Sequence, residues 1–355
     1  MIRRVCATAA VAAAAVSAIT LMSTISSSQA LGQAATQRVA GKVALKSDTF
    51  GVMITSNGSE VIDHWVAVTE QALKAAGQKY VAAQGGGDPT KQSQIISSFV
   101  REGVKGIITV GGWVAGPETQ ALEEAKTAGI PVVTTGIAVP NTPTHLLAAG
   151  YAPNDYTFGK VLARYLVKKL PKGTQYVDIT IASIPGVEDM ILGADPILNA
   201  AGFKHVGEHD LTSTNYATET SGAAVSLLQA HPSVKLLLSC CDFTPALVYP
   251  ALKTAGFTHV LETGRYDNLS TLKLIRAGAP IIVAGGNAIL GPVTAVDQML
   301  RFMAGKKINP AANANAYTYN VISKSNLPPA GQYFYNADTL IATYVAKWKS
   351  EYVLP

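Results

Sequence analysis

The stretch Val234–Phe257, VKLLLSCCDFTPALVYPALKTAGF, decides the fold. Val234 to Ser239 is a largely apolar run of strand length, interrupted only at Lys235 before it closes on Ser239. It stops at Cys240-Cys241-Asp242, and the amphipathic helical pattern Thr244–Ala255 follows at once, closed by Gly256. An apolar strand feeding directly into a helix is the repeating unit of a parallel sheet covered on both faces. In open α/β sheets, ligands bind in the loops beyond the carboxyl ends of the strands. Cys241 and Asp242 are therefore expected close to whatever this protein recognises.

The same alternation runs outward in both directions. Upstream, strands are expected at Phe50–Thr55, Tyr80–Ala83, Gly106–Val110, Pro131–Thr135 and His145–Ala149. Helices Glu60–Ala76, Pro89–Arg101 and Pro117–Ala128 separate the first four. A second block follows, with helices Asp155–Leu170, Glu188–Ala201, Thr218–Ala230, Thr244–Ala255 and Leu269–Ala277. Its strands are Tyr176–Ala182, Lys204–Glu208, Val234–Ser239, His259–Glu262 and Ile281–Ala284. Helix Ile289–Ala304 and a late strand, Tyr317–Ile322, complete the pattern. Strand–helix–strand units at this spacing argue for right-handed crossovers and parallel sheets. The expected fold is α/β: two doubly wound parallel-sheet lobes joined by a multi-strand hinge.

The N-terminus reads separately. Arg3 and Arg4, an Ala-rich apolar run from Val5 to Met22 and then Ser28-Gln29-Ala30 have the order of a secretory signal peptide. The alternative is a membrane anchor, for which the run is weakly hydrophobic. The expected organisation is a signal peptide over 1–30 and a polar leader over 31–46. Lobe 1 takes 47–150 plus 286–315, and lobe 2 takes 151–285 plus 316–326. A tail over 327–355 carries helix Asp338–Ser350 and packs on the outside of a lobe. The chain has 28 Lys and Arg against 23 Asp and Glu, and losing Arg3 and Arg4 lowers the formal charge from +5 to +3. No basic block or aromatic–basic interleaving supports nucleic-acid binding. Export implies an oxidising compartment, in which Cys240 and Cys241 either join or remain two thiols. Neighbouring Cα atoms lie about 3.8 Å apart, closer than in an ordinary disulfide, so a vicinal ring is strained.

Catalytic patterns are missing. His64, His145, His205, His209, His231 and His259 are scattered single residues, and a cysteine nucleophile needs an orienting base. There is no nucleophile elbow or phosphate-binding loop, and Gly85-Gly86-Gly87 is followed by Asp88-Pro89, which begins a helix, and not by the Gly-Lys pair of such a loop. Adjacent thiolates in a strand point to opposite faces, so no metal site is expected.

Six segments in order carry a resemblance. They are Gly87-Asp88-Pro89-Thr90-Lys91-Gln92, Gly103-Val104-Lys105-Gly106-Ile107-Ile108, Ala128-Gly129-Ile130-Pro131-Val132-Val133, Asn154-Asp155, Ala230-His231-Pro232-Ser233-Val234 and Ala251-Leu252-Lys253-Thr254-Ala255-Gly256. From Phe50 to Ser325 the chain resembles the type I periplasmic solute-binding proteins of ABC importers, in their ribose-type branch. The resemblance implies closure of two lobes around one small molecule and delivery to a membrane permease, by a monomer without cofactor.

Carrying the family's sugar-contacting positions across exposes departures. The loop after the first strand offers Asn57, His64 and Trp65. Gly136-Ile137 stands where the sugar binders place an Asp-Arg pair, and Ile191 where they place an arginine. Cys241-Asp242 occupies an Asn-Asp position. Tyr266 or Asp267 matches an Asp, and Gly286 or Asn287 matches a hinge Gln. With so many planar hydrogen-bonding groups replaced, the expected ligand is a ring compound less hydroxylated than a sugar; a pentose or hexose is the alternative. A sensor passing the closed form to a chemoreceptor is a further alternative, whereas a transcription regulator or secreted enzyme is not expected.

The residues expected to contact ligand are Asn57, Trp65, Trp113 and Gly136 from the first lobe. Glu188, Tyr216, Cys241, Asp242 and Asp267 come from the second, and Asn287 from the hinge. Each has a plainer reading. Trp65 lies on its helix's apolar stripe, Asn57 and Asn287 suit turns, and the acids at strand-to-helix junctions, Asp155 and Asp189 included, suit helix N-termini.

Overall fold

The computed structural model describes residues 38–39, 41–56, 59–111, 118–136, 145–183, 186–212 and 214–355. Strands β1 (Arg38–Val39) and β2 (Lys42–Ala44) come first. Then β3 (Thr49–Ile54), α1 (Glu60–Ala75), β4 (Lys79–Gln84), α2 (Pro89–Glu102) and β5 (Ile107–Val110) alternate. With α3 (Glu118–Thr127), β6 (Val132–Thr135) and β7 (Ala149–Tyr151) they make a five-stranded sheet ordered β4-β3-β5-β6-β7, parallel throughout.

The chain crosses into α4 (Asp155–Lys169), β8 (Gln175–Thr180), α5 (Asp189–Ala200), β9 (Lys204–Asp210) and α6 (Tyr216–Ala230). It continues through β10 (Leu236–Ser239), α7 (Thr244–Thr254), β11 (Leu261–Arg265), α8 (Leu269–Arg276) and β12 (Ile281–Gly286). α9 (Leu290–Met303) returns to pack on α1, β6 and β7, after which β13 (Tyr319–Ile322) joins the second sheet antiparallel to β12. That sheet runs β13-β12-β11-β10-β8-β9. α10 (Ala337–Glu351) and β14 (Tyr352–Val353) end the chain.

The cause is local. Helices start on caps such as Ser59, Asp88 and Asn154, whose side chains accept first-turn N–H groups, and α2 ends at Gly103 in the left-handed conformation. Strands β5, β6, β10 and β12 are buried along their whole length, as central parallel strands must be. α4 and α5 meet at Gly159 and Gly193, where a Cβ would lie 2.0 Å from Met190 O and 2.1 Å from Tyr156 O. Only glycine permits that backbone approach.

Three expectations are corrected. The strand placed at His145–Ala149 is β7, Ala149–Tyr151, because pairing with β6 begins at Val133↔Ala149. Leu146 instead packs into the core beside α3. The strand placed at His259–Glu262 is β11, Leu261–Arg265, which carries an arginine to the sheet edge. The leader, read only as polar and given no element, supplies β2, which pairs parallel with β14 at Val43↔Tyr352. A partner more than 300 residues away leaves no local trace.

α10 is a firm part of the core. Trp348 is wholly buried, its Nε1 donates to Asp297 Oδ1 at 2.9 Å, and Lys347 Nζ meets the same oxygen at 2.7 Å. No described helix is long and apolar enough to cross a membrane.

Candidate functional site

The carboxyl ends of β3 and β6 on one lobe face those of β10, β11 and β12 on the other, and the buried polar residues Asp155, Asp242, Arg265 and Asn268 lie there. Arg265 ends β11 and is 3% exposed. Its Nη1 lies 2.9 Å from Oδ2 of Asp155, the first residue of α4, whose side chain is wholly buried. Burial pushes the Asp155 carboxyl up to about 6, opposed by the guanidinium and by the Tyr266 hydroxyl.

Tyr266 ties the lobes together. Its hydroxyl donates to Asp155 Oδ1 at 3.2 Å and approaches Gly136 O, beyond β6, at 3.4 Å. Its backbone sits at φ 62°, a sparsely populated region for a bulky residue, and its N–H donates to Ala284 O at 2.7 Å. The ring meets Trp65 of α1 edge-on at 5.0 Å and Phe158 of α4 at 5.5 Å; Phe158 in turn meets Tyr319 at 4.9 Å. Gly136, at φ 99°, lies so close to the indole of Trp65 that a Cβ would come within 2.5 Å of it.

Asp242 makes a second bridge. Its Oδ2 accepts from Ser59 Oγ at 2.9 Å and from Asn268 Nδ2 at 3.1 Å. Burial raises this carboxyl, while those bonds and Arg265 pull it back. Arg265 Nε and Asn268 Oδ1 are buried without a hydrogen-bond partner among the described residues. Unmatched buried polar atoms cost about 1–3 kcal/mol each, and such groups are the ones a polar ligand satisfies.

The structure brings together Trp65, Gly136 and Asp242 of the expected set. Cys241 is buried beside them, its N–H donating to Ser239 Oγ at 3.2 Å, and the two Sγ atoms of Cys240 and Cys241 lie against each other. Tyr216 packs its ring on Phe243 at 4.6 Å, within electrostatic reach of Asp242. Asp267 is buried, its Oδ2 accepting from Phe334 N at 2.7 Å, and burial pushes its carboxyl up to about 6. Glu188 stands half-buried at the start of α5 and makes no side-chain cap. Asn287 donates to Ala316 O at 3.1 Å and accepts from Thr318 N at 2.8 Å, fastening two crossing segments of the hinge. Asn57 and Trp113 lie outside the described residues.

Arg265, Asn268 and Ser59 were not anticipated. The one signal was a lone arginine after Gly264 at the end of a strand-like run, hidden because that strand was expected to stop at Glu262.

Two sheets meeting at their carboxyl edges, joined by several crossings and bridged by buried polar groups, define a two-lobed binding protein. A family model described as a periplasmic binding protein domain matches residues 50–307. The chain belongs to that family, with the type I architecture of ABC-importer solute-binding proteins. It is 24% identical over 229 residues to the D-ribose/D-allose-binding protein of Pseudomonas aeruginosa, covering 62% of this chain and 69% of that one. It is 27% identical over 240 residues to the D-apiose import binding protein of Actinobacillus succinogenes, covering 61% and 67%. Among solved structures, a Mycobacterium smegmatis protein in complex with β-D-fucofuranose superposes with TM-score 0.71 at 18% identity, covering 84% of this chain and 98% of that one.

Proposed function

We propose that this chain is the exported substrate-binding protein of an ABC importer, closing its lobes on a sugar-like ligand and presenting the closed form to a membrane permease. Residues 1–30 act as the cleaved export signal, and the protein works as a monomer in the periplasm. Lobe 1 comprises 47–150 with 286–315, lobe 2 comprises 151–285 with 316–326, and 327–355 is a tail. The site binds rather than catalyses. Asn57, Trp65, Trp113 and Gly136 serve it from lobe 1; Glu188, Tyr216, Cys241, Asp242 and Asp267 from lobe 2; and Asn287 at the hinge.

The observation that carries the ligand class is the buried Arg265–Asp155 pair beside Asp242 and Asn268, walled by the rings of Trp65, Phe158 and Tyr266. Charged planar groups that read hydroxyls, set against aromatic faces, suit a pentose or hexose. The naming of relatives for ribose, allose and apiose points the same way. A second reading, a less hydroxylated ring compound, draws on Gly136 and Cys241, which stand where the sugar binders place an Asp and an Asn. A ligand shifts the population toward the closed state only by touching both lobes.

A thermal-shift and calorimetric screen of D-ribose, D-allose, D-apiose and D-arabinose against a set of aromatic acids and amides tests this. Sugars alone raising the melting temperature is the expected result. Response to the aromatics alone would transfer the site to the second reading, and turnover of any compound would overturn both.

A further inference from the structure

Helix α8 starts without a cap of its own. Its N-cap residue, Asn268, makes no side-chain bond to the helix and turns its amide to Asp242 instead. The open first-turn donors are taken from the other lobe by Glu60, the first residue of α1. Leu269 N donates to Glu60 Oε1 at 2.6 Å, Ser270 N to Oε2 at 3.3 Å, and the Ser270 hydroxyl to the same Oε2. One residue earlier, Ser59 caps α1 and also donates to Asp242. Two helix N-termini thus meet across the cleft, one supplied with its carboxylate by the other.

His64 lies one turn beyond Glu60 on the same face of α1 and stacks on Tyr333 at 3.6 Å between ring centroids. Phe334, the next residue, donates its N–H to Asp267, just ahead of α8. The tail segment therefore holds the same rim that Glu60 holds.

We propose that Glu60 is a closure latch, a positioning residue that caps α8 only while the lobes are together and so strengthens ligand capture without contacting the ligand. A helix N-terminus left open must be solvated, and an acidic acceptor there is favourable both as a hydrogen-bond partner and against the helix dipole. When the lobes part, α8 loses that acceptor. An interaction present only in the closed state raises the closed fraction, and apparent affinity rises with that fraction. The inference rests on the two-lobe capture reading but not on the identity of the ligand.

The test compares Glu60→Ala and Glu60→Gln with Asp63→Asn, a control that removes an exposed charge from the same helix turn. Small-angle scattering of the ligand-free mature protein reads closure, amide exchange at Leu269 and Ser270 reads the cap, and calorimetric titration with D-ribose and D-allose reads affinity. Glu60→Ala is expected to enlarge the radius of gyration, speed exchange at both amides and weaken sugar binding about tenfold. Glu60→Gln keeps an acceptor oxygen and should fall between, and Asp63→Asn should match the parent. If the parent binds no sugar, the ligand reading fails, while scattering and exchange still decide the latch. Unchanged scattering in Glu60→Ala, even with a lower melting temperature, would overturn it.

Discussion

Arg265 and Asp155 meet at 2.9 Å with almost no solvent access, one at the end of β11 and the other at the start of α4. Neither charge is tolerable there alone, because desolvating an ion costs several kcal/mol unless a partner repays it. Tyr266, the next residue, shares Asp155 and reaches the Gly136 carbonyl. One ion pair thereby organises a site built from both lobes.

Removing one partner should therefore be worse than removing both. Arg265→Met is expected to cost about 3–5 kcal/mol in urea unfolding and to abolish sugar binding. Adding Asp155→Leu should restore much of the stability and none of the binding. Equal destabilisation by the single and double variants would show that the pair is not coupled.

Gly136→Ala places a methyl group 2.5 Å from Trp65 at a backbone φ of 99°. A loss of about 1–3 kcal/mol is expected from the backbone strain alone. Tryptophan fluorescence should shift as the indole is displaced, and a silent substitution would mean that the indole moves aside freely.

Glu262 lies 1% exposed in β11 with both carboxylate oxygens unpartnered among the described residues, and burial raises its carboxyl well above the usual range. A carboxyl raised on folding contributes stability below its unfolded pKa and loses it as pH rises toward the folded value. Glu262→Gln should therefore raise the melting temperature at pH 7 and change it little at pH 4. An equal effect at both pH values would contradict a titrating group.

Trp348→Ala removes a wholly buried ring and the donor that helps Lys347 hold Asp297. A cost of about 3–5 kcal/mol is expected by chemical denaturation. Loss of only a few tenths would mean that the C-terminal helix is dispensable to the fold.

Cys240 and Cys241 are placed to form a vicinal disulfide. The exported protein should resist alkylation when denatured without reductant, with a mass two hydrogens below the dithiol form. Ready double labelling under those conditions would establish two thiols.

Much of the architecture was legible because apolar strands, capped helices and glycine stops are local signals. The run from Val234 to Phe257 was read correctly as strand, tip and helix, and the helix starts at Glu60, Pro89 and Asp155 fell where predicted. Gly136 and Asp242 converge because strand ends must, and Trp65 joins them from α1, the helix that follows β3. The errors arose where the decisive partner was distant in sequence. β7 was misplaced because its register belongs to β6, and Arg265 was passed over because β11 extends three residues beyond its apolar run.

Order along the chain was enough to determine two α/β lobes, since hydrophobic periodicity and turn chemistry act over neighbouring residues. Only tertiary structure decided that Asn268 turns away from its own helix, that Glu60 takes its place from the opposite lobe, and that Arg265 finds Asp155. Burial makes each of those polar groups seek whichever partner the folded chain brings within 3 Å or so, and that proximity is written in no single segment.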